Sequence, residues 1–126
     1  MKKNESVHSI LREFEIRPKK RLGQHFLHAT PTIKKIVDSL GIAKSDTVVE
    51  IGPGPGVMTP FISDTAKRVI AIDADADMIE VLKSRMSDRK NVEIVYSDIL
   101  EVNLPDLIEN ENHVKIIGNL PYNISS

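Results

Sequence analysis

The feature that most constrains this chain is an alternation of β-type runs with helical segments. The β-type runs occupy 47–51, 68–73, 92–96 and 113–118. Helices are indicated between them at 57–65 and 76–89, the second with Met78, Ile79 and Leu82 on one side. Strands that alternate with helices form a parallel sheet with right-handed crossovers, so the pattern predicts an α/β domain.

Two further helices are indicated before the first strand. The second of these has Thr30 as a suitable N-cap, Pro31 at the first helical position and Gly41 as a C-terminal stop. The first is short and amphipathic, with apolar residues at helical spacing at Val7, Ile10, Leu11 and Phe14.

A glycine- and proline-rich loop at 52–56 follows the first strand directly. Its glycine spacing differs from the G-x-G-x-x-G fingerprint of dinucleotide sites, and its two prolines remove N–H groups that a pyrophosphate would need. Glu50 adds negative charge two residues before the loop, which suits a cationic ligand. S-adenosylmethionine carries a sulfonium and an ammonium group and no phosphate. We therefore predict an S-adenosylmethionine site that includes Glu50, Gly52 and Gly54.

Two acidic residues follow the next two strands. Asp73 ends the second strand, where a carboxylate can accept both ribose hydroxyls of a nucleoside. An N-cap is the alternative, but the strand position favours Asp73 as the ribose ligand and Asp75 or Asp77 as the cap. Asp98 follows the third strand and either accepts from an adenine amine or forms a turn, two interpretations that the sequence leaves equal.

The loop after the fourth strand carries the residues suited to chemistry on an adenine amine. The N6 lone pair is delocalised into the ring, and two acceptors that take its hydrogens localise that pair. Asn119 offers its side-chain oxygen and Leu120 its backbone carbonyl, while Tyr122 offers a stacking face worth about 1–3 kcal/mol. Positioning supplies most of the effect, so neither a metal nor a covalent intermediate is required.

Composition narrows the setting. The chain has no cysteine, which excludes disulfides and thiolate metal sites, and it has no bilayer-spanning apolar run or secretory signal. The cytoplasm is the default location. The net charge is only −1, but positive charge gathers near the start, which indicates either a solvated linker or an arm that contacts phosphates. The basic residues there are Arg17, Lys19, Lys20 and Arg21.

Taken together, these motifs resemble the ribosomal RNA adenine dimethyltransferase family over about residues 17–126. The most restricted segments are Gly-Gln-His-Phe-Leu at 23–27 and Asn-Leu-Pro-Tyr-Asn-Ile-Ser at 119–125. The resemblance implies a Rossmann-like class I S-adenosylmethionine-dependent methyltransferase fold, truncated here after the fourth strand. It implies methylation of the N6 amine of two adjacent adenines in small-subunit rRNA. The partner would be the pre-ribosomal small subunit, with no membrane and no metal.

The resemblance also implies roles for particular segments and residues. Residues 1–28 would form a basic arm and cofactor-covering loop, and 29–126 the N-terminal portion of the methyltransferase domain. His25 stands where many members have Asn, and Asp73 where Glu is frequent. The family's later strands and helical C-terminal domain are absent, so we expect a fragment that binds cofactor weakly at best and does not turn over alone. The implied cofactor contacts are His25, Leu27, Gly52, Asp73, Asp98 and Asn119.

Four alternative functions remain open. Erythromycin-resistance methylases act on large-subunit rRNA and often have Ile where this chain has Leu120, and DNA adenine methylases usually have Pro there. A non-catalytic RNA-binding or transcription-factor relative would retain the fold without the chemistry. A nicotinamide-dependent oxidoreductase is opposed by the glycine spacing and the prolines.

Overall fold

The structure, a computed structural model, describes residues 30–118, which form one parallel sheet with helices packed on it. In chain order the elements are α1 (Thr30–Ser39), β1 (Thr47–Ile51), α2 (Thr59–Thr65), β2 (Arg68–Asp73), α3 (Ala76–Arg85), β3 (Val92–Tyr96), a 3₁₀ turn (Ile99–Glu101), α4 (Leu104–Leu107) and β4 (Val114–Gly118). Within this part of the chain, no helix is long and apolar enough to cross a bilayer.

The strand order is β3-β2-β1-β4, so the direction in which strands are added reverses at β1. All three strand pairs are parallel, with Ile51 opposite Ile72 on one side and Gly118 on the other. The chain moves outward from β1 through β2 to β3, then returns to place β4 on the opposite side of β1. Ligands of open α/β sheets bind at the carboxyl ends of the strands, where the order reverses in this way. The loop after β1 lies at that point.

The central strands β1 and β2 are buried on both faces. On one face Val48 and Val69 pack against α1, α2 and α3, and on the other Val49, Ile70 and Ile72 pack under the segment that follows β3. These residues are 0–1% exposed. Fully burying an aliphatic side chain contributes about 1.5–3 kcal/mol, so these two strands anchor the loops at their ends.

The strands lie close to where the sequence predicted them. The first three coincide with 47–51, 68–73 and 92–96, and the fourth begins at Val114, one residue later than expected. The short 3₁₀ turn and α4 were not predicted, because each is built around a single polar cap rather than a periodic apolar pattern. Asp98 caps the first and Asn103 the second.

Helix ends were predicted less accurately than strand ends. The helix expected over 76–89 ends at Arg85, where Met86 leaves helical geometry and its N–H closes the last turn on Leu82 O. The chain then turns, which directs the Arg89 side chain toward α2.

The other two helices differ at their starts. The helix expected over 57–65 begins at Thr59, because Pro60 suits a first turn whereas Gly56 has φ +85°. Helix α1 includes Thr30, the residue expected as its N-cap, and Gly41 follows its end at φ +65° as the stop signal indicated. The helix expected near the start of the chain lies outside the described residues.

Candidate functional site

The glycine loop at 52–56 uses all of its own N–H groups internally. Its two prolines have none, and each of its three glycines donates to a nearby oxygen. The bonds are Gly52 N–H to Ile72 O (2.8 Å), Gly54 N–H to Asp73 Oδ2 (3.1 Å) and Gly56 N–H to Pro53 O (3.1 Å). Phosphate-binding loops work by pointing free N–H groups at the anion. This loop has none to offer, which supports the sequence argument against a dinucleotide.

Gly56 shows why the loop needs glycine at its end. Its φ of +85° is costly for any residue with a side chain. A Cβ placed there would also lie 2.5 Å from Leu82 Cδ1, a core side chain of α3. The close approach lets the loop fold down onto α3 and fixes its distance from the sheet.

Asp73 holds the loop from the end of β2. It is 8% exposed, its Oδ1 accepts from Asp75 N–H at 2.9 Å, and its Oδ2 accepts from Gly54 N–H. Burial raises the pKa of Asp73, and the two backbone N–H groups oppose that rise. A carboxylate has about four acceptor sites, so Asp73 retains capacity for ribose hydroxyls. That role stays a prediction.

Asp75 rather than Asp77 caps helix α3. Its side chain accepts from Asp77 N–H and Met78 N–H, the geometry of an N-cap. The prediction that Asp75 or Asp77 caps this helix is therefore confirmed. Asp73 is not itself the cap and faces the glycine loop.

Glu50 lies beneath the glycine loop rather than on the surface. It is 1% exposed and accepts a hydrogen bond from Thr59 Oγ1 at 2.6 Å. Burial raises its pKa to about 7; the Thr59 bond opposes the rise and nearby Asp73 adds to it. The sequence argument treated Glu50 as a fixed negative charge. The structure shows that this charge depends on pH and on any cation that comes near.

Asp98 completes a row of acids at the ends of three adjacent strands. It caps the 3₁₀ turn by accepting from Leu100 N–H at 2.9 Å, and it is exposed. The turn role is therefore confirmed, and a contact with adenine stays a prediction. Ile99, the next residue, is partly buried against the cluster around Val49.

The three acids named above, Glu50, Asp73 and Asp98, have no salt-bridge partner within residues 30–118. Over the same range, no group of three or more His, Asp or Glu residues is arranged to hold a metal ion. Carboxylates without a cation partner attract a cationic ligand.

Several predicted site residues lie outside the described range. They are His25, Leu27, Asn119, Leu120 and Tyr122, together with the basic cluster at 17–21. The structure does show where β4 ends. Gly118 is paired with Ile51, which directly precedes the glycine loop, and Gly118 is the residue before Asn119.

Sequence reasoning missed two residues that support the site. Thr59 binds Glu50, and Arg85 donates from Nε to Pro55 O at 3.1 Å. A signal existed for Arg85, because it lies three positions after Leu82 on the apolar stripe of α3, where an arginine is unexpected. Thr59 gave no comparable signal.

Comparison with known proteins decides the family. The family model for ribosomal RNA adenine dimethylase matches residues 16–126. The chain belongs to this family. The resemblance drawn from the sequence motifs is therefore confirmed, and so is the Rossmann-like methyltransferase fold, truncated relative to the family's full-length members.

Individual members of the ribosomal RNA adenine dimethylase family and its neighbours show the same likeness. Ribosomal RNA small subunit methyltransferase A of Sulfurihydrogenibium sp. (strain YO3AOP1) is 45% identical over 113 residues, 89% of this chain and 44% of the relative. A dimethyladenosine transferase from Plasmodium falciparum superposes with a TM-score of 0.63 at 33% identity, over 75% of this chain and 33% of that one. The 23S rRNA methyltransferase ErmE gives 0.58 at 30%, over 61% and 32%. The chain spans less than half the length of the curated relatives it matches.

Proposed function

We propose that this chain binds S-adenosylmethionine at the carboxyl edge of its sheet and takes part in methylating the N6 amine of adenine in small-subunit rRNA. The glycine loop carries the proposal, because it offers no N–H to a phosphate and lies at the same edge of the sheet as Glu50, Asp73 and Asp98, which form no salt bridge within residues 30–118. A cationic nucleoside without phosphate fits that combination, and a dinucleotide does not.

Each acid has a part in holding the cofactor. Asp73 accepts the ribose hydroxyls with the lone pairs that its two backbone bonds leave free. Asp98, exposed at the end of β3, accepts from the adenine amine. Glu50 lies under the loop and supplies negative charge to the cationic portion once a cation lowers its pKa. His25, Leu27, Gly52 and Gly54 complete the proposed contacts.

The acceptor base is held by the segment that follows β4. When bound, S-adenosylmethionine supplies an electrophilic methyl group on a positively charged sulfur. The Asn119 oxygen and the Leu120 carbonyl accept the two amine hydrogens, which directs the nitrogen lone pair at that methyl group. Tyr122 stacks on the flipped base. Methylation of the amine in this orientation would use the cofactor's methyl group, and the proton that the nitrogen loses would pass to solvent.

The rRNA backbone requires a different surface. Phosphates are repelled by the acidic edge, so the basic cluster at 17–21, within the arm formed by residues 1–28, is the proposed phosphate contact. Small-subunit rRNA is favoured over large-subunit rRNA because the 45% identical relative is named for the small subunit, whereas ErmE is 30% identical. The proposed rRNA substrate implies a cytoplasmic location.

Methylation of separated ribosomal subunits tests the substrate. With the protein expressed from its own gene and methyl-labelled cofactor, we expect labelled adenines in the small subunit only. Asn119→Ala should lower the label at least about 100-fold, because the oriented amine acceptor is lost. Label confined to the large subunit would reject the proposed substrate. Calorimetry tests the cofactor, and binding of NADH with no binding of S-adenosylmethionine would reject the methyltransferase role.

A further inference from the structure

Arg85 is a buried cation that the proposed chemistry does not use. It is 9% exposed on helix α3, and its Nε donates to Pro55 O at 3.1 Å. A guanidinium cannot be deprotonated in a protein, and removing it from water costs several kcal/mol unless it is well bonded. Its Nε bond reaches a backbone carbonyl of the glycine loop, thirty residues earlier in the chain.

The three last residues of the glycine loop are fixed by three different side chains. Asp73 at the end of β2 accepts from Gly54 N–H. Arg85 donates to the carbonyl of Pro55. The Leu82 side chain lies directly beneath Gly56, where only a hydrogen fits. Two of the three side chains belong to α3, so this helix and β2 together determine the shape of the loop.

We propose that Arg85 is a positioning residue for cofactor binding, because it holds the carbonyl side of the glycine loop in the shape that the site requires. The inference rests on the proposed function of the loop. A glycine-rich segment has much conformational freedom to lose on ordering, and a fixed tie removes that freedom before the ligand arrives. If the competent fraction of loop conformations falls tenfold without Arg85, the apparent Kd rises about tenfold.

Arg89 provides a matched control in the same molecule. Its Nη1 also donates to a proline carbonyl, Pro60 O at 3.1 Å, and to Ser63 Oγ and Asp64 Oδ1 at 2.6 and 2.7 Å. These contacts join the end of α3 to α2 and do not include the glycine loop. Loss of Arg89 therefore removes a comparable tie and leaves the loop bonds in place.

Amide hydrogen exchange measured by NMR on the ligand-free chain tests the loop directly. In Arg85→Met, the Gly54 and Gly56 amides should exchange at least about tenfold faster, while the sheet amides of Ile70 and Ile72 keep their rates. Arg89→Met should leave the two glycine amides unchanged. A folded Arg85→Met variant with unchanged glycine exchange overturns the inference. If Arg85→Met does not fold, Arg85→Lys is compared with Arg89→Lys on the same amides.

Calorimetry with S-adenosylmethionine gives the second readout. We expect the Kd to rise about tenfold in Arg85→Met, less in Arg85→Lys, which keeps a donor on a similar stem, and by no more than about twofold in Arg89→Met. If both Met variants lose thermal stability but only Arg85→Met loses affinity, positioning is separated from general destabilisation. Equal affinities in wild type and Arg85→Met overturn the inference alone. If neither this chain nor the protein expressed from its own gene binds S-adenosylmethionine, the cofactor proposal is overturned, and the exchange rates then judge Arg85.

Discussion

The two ends of strand β2 stabilise charged residues in opposite ways. Arg68 at the amino end is 32% exposed and pairs with Glu93 and Glu111, which belong to β3 and to the turn before β4. Asp73 at the carboxyl end is 8% exposed and is satisfied by backbone N–H groups, with no cation partner among residues 30–118. Charges at one end neutralise each other, whereas charges at the other end stay available to a ligand.

The same contrast extends along both edges of the sheet. At the amino edge a shallow cleft contains Lys67 and Arg68, and Glu93 and Glu111 compensate their charge. At the carboxyl edge Asp73 accepts from the glycine loop, and neither it nor Asp98 forms a salt bridge within residues 30–118. We infer that the amino edge serves folding and the carboxyl edge serves binding. Substitutions at each edge test this difference.

Replacement of Asp73 should have the largest effect on stability. In Asp73→Ala the N–H groups of Gly54 and Asp75 lose their acceptor in a buried site, at about 1–3 kcal/mol each, so the free energy of unfolding should fall by about 2–6 kcal/mol. Urea denaturation measures this fall, and calorimetry should show that cofactor binding is lost with it.

An exposed aspartate on α1 is the control for that substitution. Asp38 forms only a surface pair with Lys34 at 3.1 Å, so Asp38→Ala should cost less than about 0.5 kcal/mol. If the two alanine variants lose equal stability, the Asp73 carboxylate is not the support of the loop that the structure indicates.

The next effect depends on the pH. Burial raises the pKa of Glu50 to about 7 from its ordinary value of 4.5, so well below pH 4.5 the carboxyl is neutral in both the folded and the unfolded state and its ionisation costs nothing. The cost grows as the pH rises from 4.5 to 7 and is constant above that. Glu50→Gln retains an acceptor for Thr59 and cannot ionise. The free energy of unfolding of Glu50→Gln, relative to that of wild type, should therefore rise by on the order of 2–3 kcal/mol between pH 4.5 and pH 8.

Denaturation curves at both pH values measure this change, and Glu80→Gln on the exposed face of α3 controls for loss of a carboxylate in general. A cationic ligand should lower the pKa of Glu50, so wild-type binding near pH 7 should release protons, seen by calorimetry in buffers of different ionisation enthalpy. A stability difference that does not change with pH would show that Glu50 is ionised at little cost.

These two acids also show how far the sequence could lead. Strands β1 and β2 were predicted to the residue because buried β-branched runs end sharply at Gly52 and Asp73. The two acids were found because the end of a strand is readable from the sequence: Glu50 is the second-last residue of β1 and Asp73 the last of β2. The protonation of Glu50 was not predictable, since it depends on burial against α2, and the role of Arg85 was not, since its partner lies thirty residues away. The protonation of Glu50 and the role of Arg85 both depend on contacts between packed elements.

The smallest effect is expected at the amino end of β2. Arg68→Gln removes the pairs with Glu93 and Glu111, and partly exposed ion pairs of this kind contribute about 0–1 kcal/mol. Denaturation at low salt should show a loss within that range. In about 1 M NaCl, where the Debye length is about 3 Å, the difference from wild type should nearly vanish. Cofactor affinity should not change at either salt concentration, because no bond of Arg68 reaches the glycine loop. A salt-independent loss as large as that of Asp73→Ala, or a weaker cofactor complex, would mean that the two ends of β2 are not separate in function.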